Sequence, residues 1–162
     1  MDALVTETHL PAGVAGLRAA GRGGLGVVAM GPSARTAGLW SRFARASAVA
    51  PDVLDDPVGF ATAVGRLAVE HGPLVVYPVQ EEAIDALIDA DLPAEAMLPY
   101  PAAQAVRRLR DKRALPGLFA EGGFRTAATL AEGTASELLE ASLPCPCVLK
   151  PTGKGGAMGP PR

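Results

Sequence analysis

The sequence predicts an α/β fold: an open, mostly parallel sheet with helices on both faces. Short apolar runs alternate with amphipathic helical stretches through residues 3–88, the pattern of strands joined by crossover helices. Leu74-Val75-Val76-Tyr77 lacks polar alternation, as a parallel strand covered on both faces requires. The chain has 162 residues, 49% of them hydrophobic and 20% charged, about one domain's worth and rich enough to bury a core.

Ala3 to Thr6 reads as the first strand, and Gly13 to Ala20 as a small-residue helix carrying Val14 and Leu17. Leu25 to Met30 reads as the second strand. Between them, Gly21-Arg22-Gly23-Gly24-Leu25-Gly26 spells G-x-G-x-x-G. A dinucleotide fingerprint follows a strand and opens a helix, whereas this one follows a helix and opens a strand, so it reads as a turn. Ser41-Arg42-Phe43 lies in a stretch with no clear period. Asp55-Asp56-Pro57 then marks a helix start, an acidic cap followed by proline at the first helical position. Val58, Ala61, Val64, Leu67 and Ala68 are spaced to form its buried face. His71-Gly72-Pro73 ends that helix, and the strand 74–77 is closed by Pro78 and placed at the centre of the sheet. A third helix begins near Glu81, burying Ala83, Ile84, Leu87 and Ile88. Glu81 and Glu82 stand at the carboxyl end of a strand, where α/β sites gather, although acids in a first helical turn are also favoured by the helix dipole.

Leu92 to Ala102 holds Pro93, Pro99 and Pro101, a junction between two units. Ala102 to Arg110 reads as a helix with Val106 and Leu109 inward and Arg107, Arg108 and Arg110 outward, a solvated basic face. The next helix takes Asp111 as its cap and Leu115, Leu118 and Phe119 as its stripe, and ends at Gly122-Gly123. Pro116 is an oddity there, one position past the free amide donors. Arg125 to Leu130 is expected as a strand. Thr134-Ala135-Ser136-Glu137 is a capping box opening a short helix that buries Leu138, and Cys147 to Lys150 is expected as a strand ended by Pro151.

Charge excludes some functions. Fifteen basic against 17 acidic residues leave −2, without the basic stripe of a nucleic-acid module. No apolar run approaches the length of a membrane span and the start lacks a signal-peptide pattern, so the expectation is a cytoplasmic protein with neither membrane nor nucleic acid as partner. Cys145 and Cys147 make no disulfide framework and, without a second cluster, no zinc site. Arginine outnumbers lysine twelve to three. The three lysines, Lys112, Lys150 and Lys154, all fall in the last third, where a compact mobile charge is not interchangeable with arginine.

Val148-Leu149-Lys150-Pro151 followed by a glycine-rich loop, with Asp111-Lys112 upstream, resembles the ATP-grasp superfamily, most of all its carboxylate–amine ligase and carbamoyl-phosphate-synthase-like branches. Ser41-Arg42-Phe43 and Tyr77-Pro78-Val79-Gln80-Glu81-Glu82 are similar to the short signatures of the α/β domain that precedes the nucleotide-binding part. The resemblance implies a Rossmann-like pre-ATP-grasp domain over residues 1–98, a linker and helix over 99–110, and the start of an α+β ATP-grasp nucleotide-binding domain over 111–162. It implies ATP and magnesium as cofactors. Lys112, Lys150, Gly153, Gly155 and Gly156 become the ATP contacts, with small carboxylate and amine substrates in the full form. Physical chemistry agrees: lysines supply point charges to phosphates, and glycine amides approach phosphate oxygens closely. Lys112 and Lys150 are therefore expected near each other, flanking a triphosphate.

The departures are Ala127, where relatives carry proline at a strand entry, Pro116, and the family's second half, with the adenine hinge and the magnesium ligands, which the sequence lacks. Phosphoryl transfer needs those metal ions. The expectation is a fragment or frame-shifted N-terminal portion, ending in Gly159-Pro160-Pro161-Arg162, that binds ATP weakly at best. The alternative is a non-catalytic α/β ligand-binding or interaction module derived from such an enzyme. The residues do not specify the oligomeric state.

Overall fold

The structure, a computed structural model, describes residues 1–144 and 146–150. The chain divides into two compact units, Met1–Tyr100 and Pro101–Arg162. In the first, β1 (Ala3–Val5), β2 (Val27–Gly31), β3 (Ala44–Val49), β4 (Leu74–Tyr77) and β5 (Ala96–Met97) form one sheet in the order β3-β2-β1-β4-β5. All four pairings are parallel. The connections are α1 (Pro11–Arg22), a 3₁₀ turn at Ala37–Trp40, α2 (Pro57–His71) and α3 (Glu81–Ile88).

Both faces of the sheet are covered, which is why β1 and β2 read as unbroken apolar runs. Leu4, Val28, Met30, Leu74 and Val76 pack with Phe60, Val64 and Leu67 of α2 and with Ala83 and Leu87 of α3. On the opposite face Val5, Val27 and Ala29 pack with Leu17 of α1. Within a strand, successive side chains serve opposite cores.

Several expectations are corrected. The 74–77 strand is interior as expected, with β1 on one side of β4 and β5 on the other, although the middle position of the five belongs to β1. Two strands enter that the sequence did not announce. β3 alternates half-buried Ala44, Ala46 and Ala48 with exposed Arg45, Ser47 and Val49, but alanine is a poor strand former and masks the period. β5 has only two residues. Val58, expected inside, is 75% exposed, while Phe60 and Ala63 take its place in the core.

The ends of the elements follow local chemistry. Asp56 caps α2, its Oδ1 accepting from the Gly59 amide at 2.8 Å. The G-x-G-x-x-G stretch is the C-cap of α1: Gly24 has φ +87°, the Leu25 amide donates to the Ala20 carbonyl, and the Gly24 amide donates to that of Gly21. This pair of bonds is a Schellman motif, which needs a residue tolerant of positive φ.

The second unit contains α4 (Ala103–Arg110), α5 (Leu115–Glu121) and α6 (Ala135–Glu140). Val106 is buried, but Leu109, expected inward, is exposed. Helix α5 begins at Leu115, so Pro116 lies in its first turn and costs no backbone bond. Asp111 instead closes the preceding turn, accepting from the Arg113 amide and guanidinium, which hold its carboxyl below the usual carboxylate range. The Gly122-Gly123 stop is a second Schellman motif, with Phe124 stacked edge-on against Phe119. The capping box at Thr134 and Glu137 is formed with both of its bonds; the Thr134 amide and hydroxyl both donate to the Glu137 carboxylate and lower its pKa, and Leu138 is half-buried.

The strands expected at 125–130 and 147–150 are not formed, and those residues are exposed. An extended segment gains little without a ladder partner, and neither segment finds one among the described residues. The described part of this unit is therefore helical, not α+β.

Candidate functional site

In an open parallel sheet, ligands bind beyond the carboxyl ends of the strands, at the point where strand order reverses. Here the chain runs outward from β1 through β2 to β3, then returns to place β4 on the other side of β1. The switch point lies between the ends of β1 and β4. The segments that follow them are Thr6-Glu7-Thr8-His9 and Pro78-Val79-Gln80.

Glu7 organises this edge. Its Oε2 accepts from the Thr6 hydroxyl at 2.8 Å, the Val79 amide at 2.8 Å and the Gln80 amide at 3.3 Å. The β4–α3 loop is thereby tied to the end of β1 just ahead of α3, where free amides and the helix dipole favour an anion. Glu7 has φ +50°, the only non-glycine residue with positive φ among the described residues, a conformation that costs about 1 kcal/mol or more for a side chain of this size. It is 3% exposed, and Oε1 is buried without a hydrogen-bond partner.

The neighbours of Glu7 are held firmly. Thr8 donates through both its amide and its hydroxyl to the Met30 carbonyl, each at 2.9 Å, and accepts from the Gly38 amide through its own carbonyl. The first turn of α1 lies directly over the strand end, because a Cβ at Gly13 would meet the Glu7 carbonyl oxygen at 2.5 Å. His9 Nε2 stands 3.9 Å from Asp52, and its Nδ1 is buried without a partner. The Tyr100 phenol has a pKa raised by burial and then by the negative charge of Glu7. Glu7→Gln is therefore expected to lower the Tyr100 pKa while leaving it above the ordinary phenol value, because burial remains. Ultraviolet titration of phenolate in a Tyr77→Phe background checks this, and an unmoved pKa would show that Glu7 carries no charge felt at Tyr100.

The residues singled out by sequence take other places. Glu81 and Glu82 are exposed in the first turn of α3; the acid turned into the sheet edge is Glu7. Its signal was available, since it directly follows the first strand. In Ser41-Arg42-Phe43, the Ser41 hydroxyl accepts from the Phe43 amide, the Arg42 guanidinium lies 4.9 Å from the Phe43 ring centroid, and the ring closes against Gly21 of α1. That motif docks β3 onto α1. Arg107 and Arg108 are exposed and Arg110 is half-buried, all in the last turn of α4, where cations complement the dipole. Lys112 is half-buried in the turn between α4 and α5, and Lys150 is exposed in a segment without a ladder. Gly153, Gly155 and Gly156 lie outside the described residues, as does Lys154.

Among the described residues no three or more His, Cys, Asp or Glu side chains are grouped so as to hold a metal ion. Lys112 and Lys150 lie on separate segments, neither of them carried by a strand. No helix among the described residues is long and apolar enough to cross a membrane.

Elsewhere in the first unit, a groove of about 1200 Å³ runs between α2 and α3, lined by Val58, Val69, Leu92 and Pro93 among others. Its acids Glu70, Glu82, Asp85, Asp89 and Asp91 are all solvent-exposed, so it presents surface, whereas the buried polar chemistry is at the sheet edge. No protein-family model matches the sequence, and no curated protein matches it.

Proposed function

We propose that the chain is the N-terminal portion of an ATP-grasp ligase, whose full form uses ATP and magnesium to activate a carboxylate as an acyl phosphate for attack by an amine. The observation that carries this reading is the parallel β3-β2-β1-β4-β5 sheet with Tyr77-Pro78-Val79-Gln80 at its switch point, together with the order of the motifs along the sequence. In this reading the first unit is the domain preceding the nucleotide-binding part, and the second supplies Lys112 and Lys150 toward phosphate. In this reading the magnesium ligands belong to the family's second half, and the described residues contribute no cluster of three metal-ligating side chains.

The second reading, a non-catalytic ligand-binding or interaction module, is favoured by the helical, strandless character of the described second unit. Lys150 is exposed, and in water an ion pair at ~4 Å is worth only about 1 kcal/mol, against about 4 kcal/mol in a partly enclosed site. ATP binding by this chain is expected to be weak, to fade with added salt and to weaken further in Lys150→Ala. With magnesium and a panel of carboxylates and amines, release of ADP and phosphate is expected to stay at background. Salt-sensitive ATP binding lost in Lys150→Ala supports the ligase reading, and no ATP binding at low salt favours the module. Robust release abolished by Lys150→Ala would show that these residues hold a complete active site.

A further inference from the structure

Three features converge on Glu7 that a purely structural acid does not require. A buried carboxylate is costly unless it is paired, yet the partners of Glu7 are a hydroxyl and two backbone amides, all on Oε2, and no cationic side chain among the described residues pairs with it. Oε1 is enclosed and has no hydrogen-bond partner among the described residues. The backbone is held at φ +50°, and strain of this kind persists where the surroundings fix it and gathers at ligand sites. The surroundings do fix it, through the bonds of Thr6 and Thr8 to the neighbouring strands and the close approach of Gly13.

We infer that Glu7 Oε1 is the acceptor of a binding site for the protonated amine of a small ligand, at the switch point between the ends of β1 and β4. An ammonium head supplies both things this oxygen lacks, a hydrogen-bond donor and a compensating positive charge, and a charge-assisted bond of that kind is about twice as strong as a neutral one. An anionic ligand is disfavoured, because Glu7 already occupies the amides ahead of α3 and would repel it. A neutral hydroxyl supplies the donor without the charge. The Val79 and Gln80 amides, bonded to the same carboxylate, report the arrival of the head group. The inference stands on the first unit alone and does not depend on the ligase reading.

The test is a titration of the full chain with n-propylamine, 1-propanol and propionate, followed by the amide resonances of Val79 and Gln80 in nitrogen–proton correlation spectra. Saturable shifts with the amine at neutral pH, absent with the alcohol and the acid, are expected. Glu7→Gln keeps an oxygen for the amides but removes the charge, and should weaken amine binding by about tenfold or more, the worth of one hydrogen bond to a charged group. Equal response to amine and alcohol, or no saturable response to the amine, overturns the site using the unmodified protein, whatever Glu7→Gln does to folding. A water cross-peak at these amides that the amine does not displace also overturns it, because Oε1 is then satisfied by a buried water. Failure of ATP binding bears only on the ligase reading.

Discussion

Phe60→Ala is expected to lower the stability of the first unit by about 3–5 kcal/mol, the usual range for truncating a buried aromatic. Phe60 is 1% exposed in the larger core, where α2 meets the sheet, and its removal forfeits both transfer energy and the contacts of a packed interior. Domains are stable by only about 5–15 kcal/mol in total, so the variant is expected to be unfolded in part at physiological temperature. Val58→Ala, on the same helix but with Val58 75% exposed, should fall within about 0.5 kcal/mol of the parent. Urea midpoints of the two variants check both values, and a comparable loss from both would show that the helix is rotated so that Val58 faces the core.

Gly13→Ala sets two effects of opposite sign against each other. Alanine gains up to about 1 kcal/mol over glycine inside a helix, an upper bound for Gly13, which is the third residue of α1. At Gly13 the new Cβ meets the Glu7 carbonyl oxygen at 2.5 Å and Thr8 Cα at 3.0 Å, all backbone that cannot rotate aside, and overpacking of this kind costs about 1–3 kcal/mol. The clash is expected to prevail, with a net loss and a shift of the Val79 and Gln80 amides as the strand end moves. Gly16, three residues on in α1, has Val5 Cγ1 as its nearest neighbour at 4.0 Å, so Gly16→Ala should stabilise. Thermal unfolding of the pair decides it, and the same sign of change in both variants would contradict the close packing of α1 on the end of β1.

Sequence reading was strongest where one face of an element repeats or a cap is chemically specific. The apolar runs of β1, β2 and β4, the Asp56 cap and the Thr134 capping box are local signals, formed by residues three or four apart or by one continuous run. The parallel α/β class followed from them, and the context of Gly21 to Gly26 identified a helix-to-strand turn where a pattern match alone pointed to a nucleotide loop. Pro116 looked misplaced only because Asp111 was assigned as a helix cap; with α5 starting at Leu115, proline occupies a position it favours.

What only the tertiary structure decided is what depends on a partner distant in sequence. The alanine-rich β3 is a strand because β2 lies beside it, and residues 125–130 and 147–150 have strand-forming composition without such a neighbour among the described residues. The spacing of Ala61, Val64, Leu67 and Ala68 identified the buried face of α2, but that Phe60 and not Val58 joins them at its start depended on where the sheet lies. The site shows the same division. Sequence rules placed functional residues at the carboxyl ends of strands and found Glu81 and Glu82, but a carboxylate there acts only if it is turned inward and stripped of water. Glu7 is turned inward by a positive φ and bonded to amides 72 and 73 positions away, and contacts of that span are fixed by the folded chain, not by any local pattern.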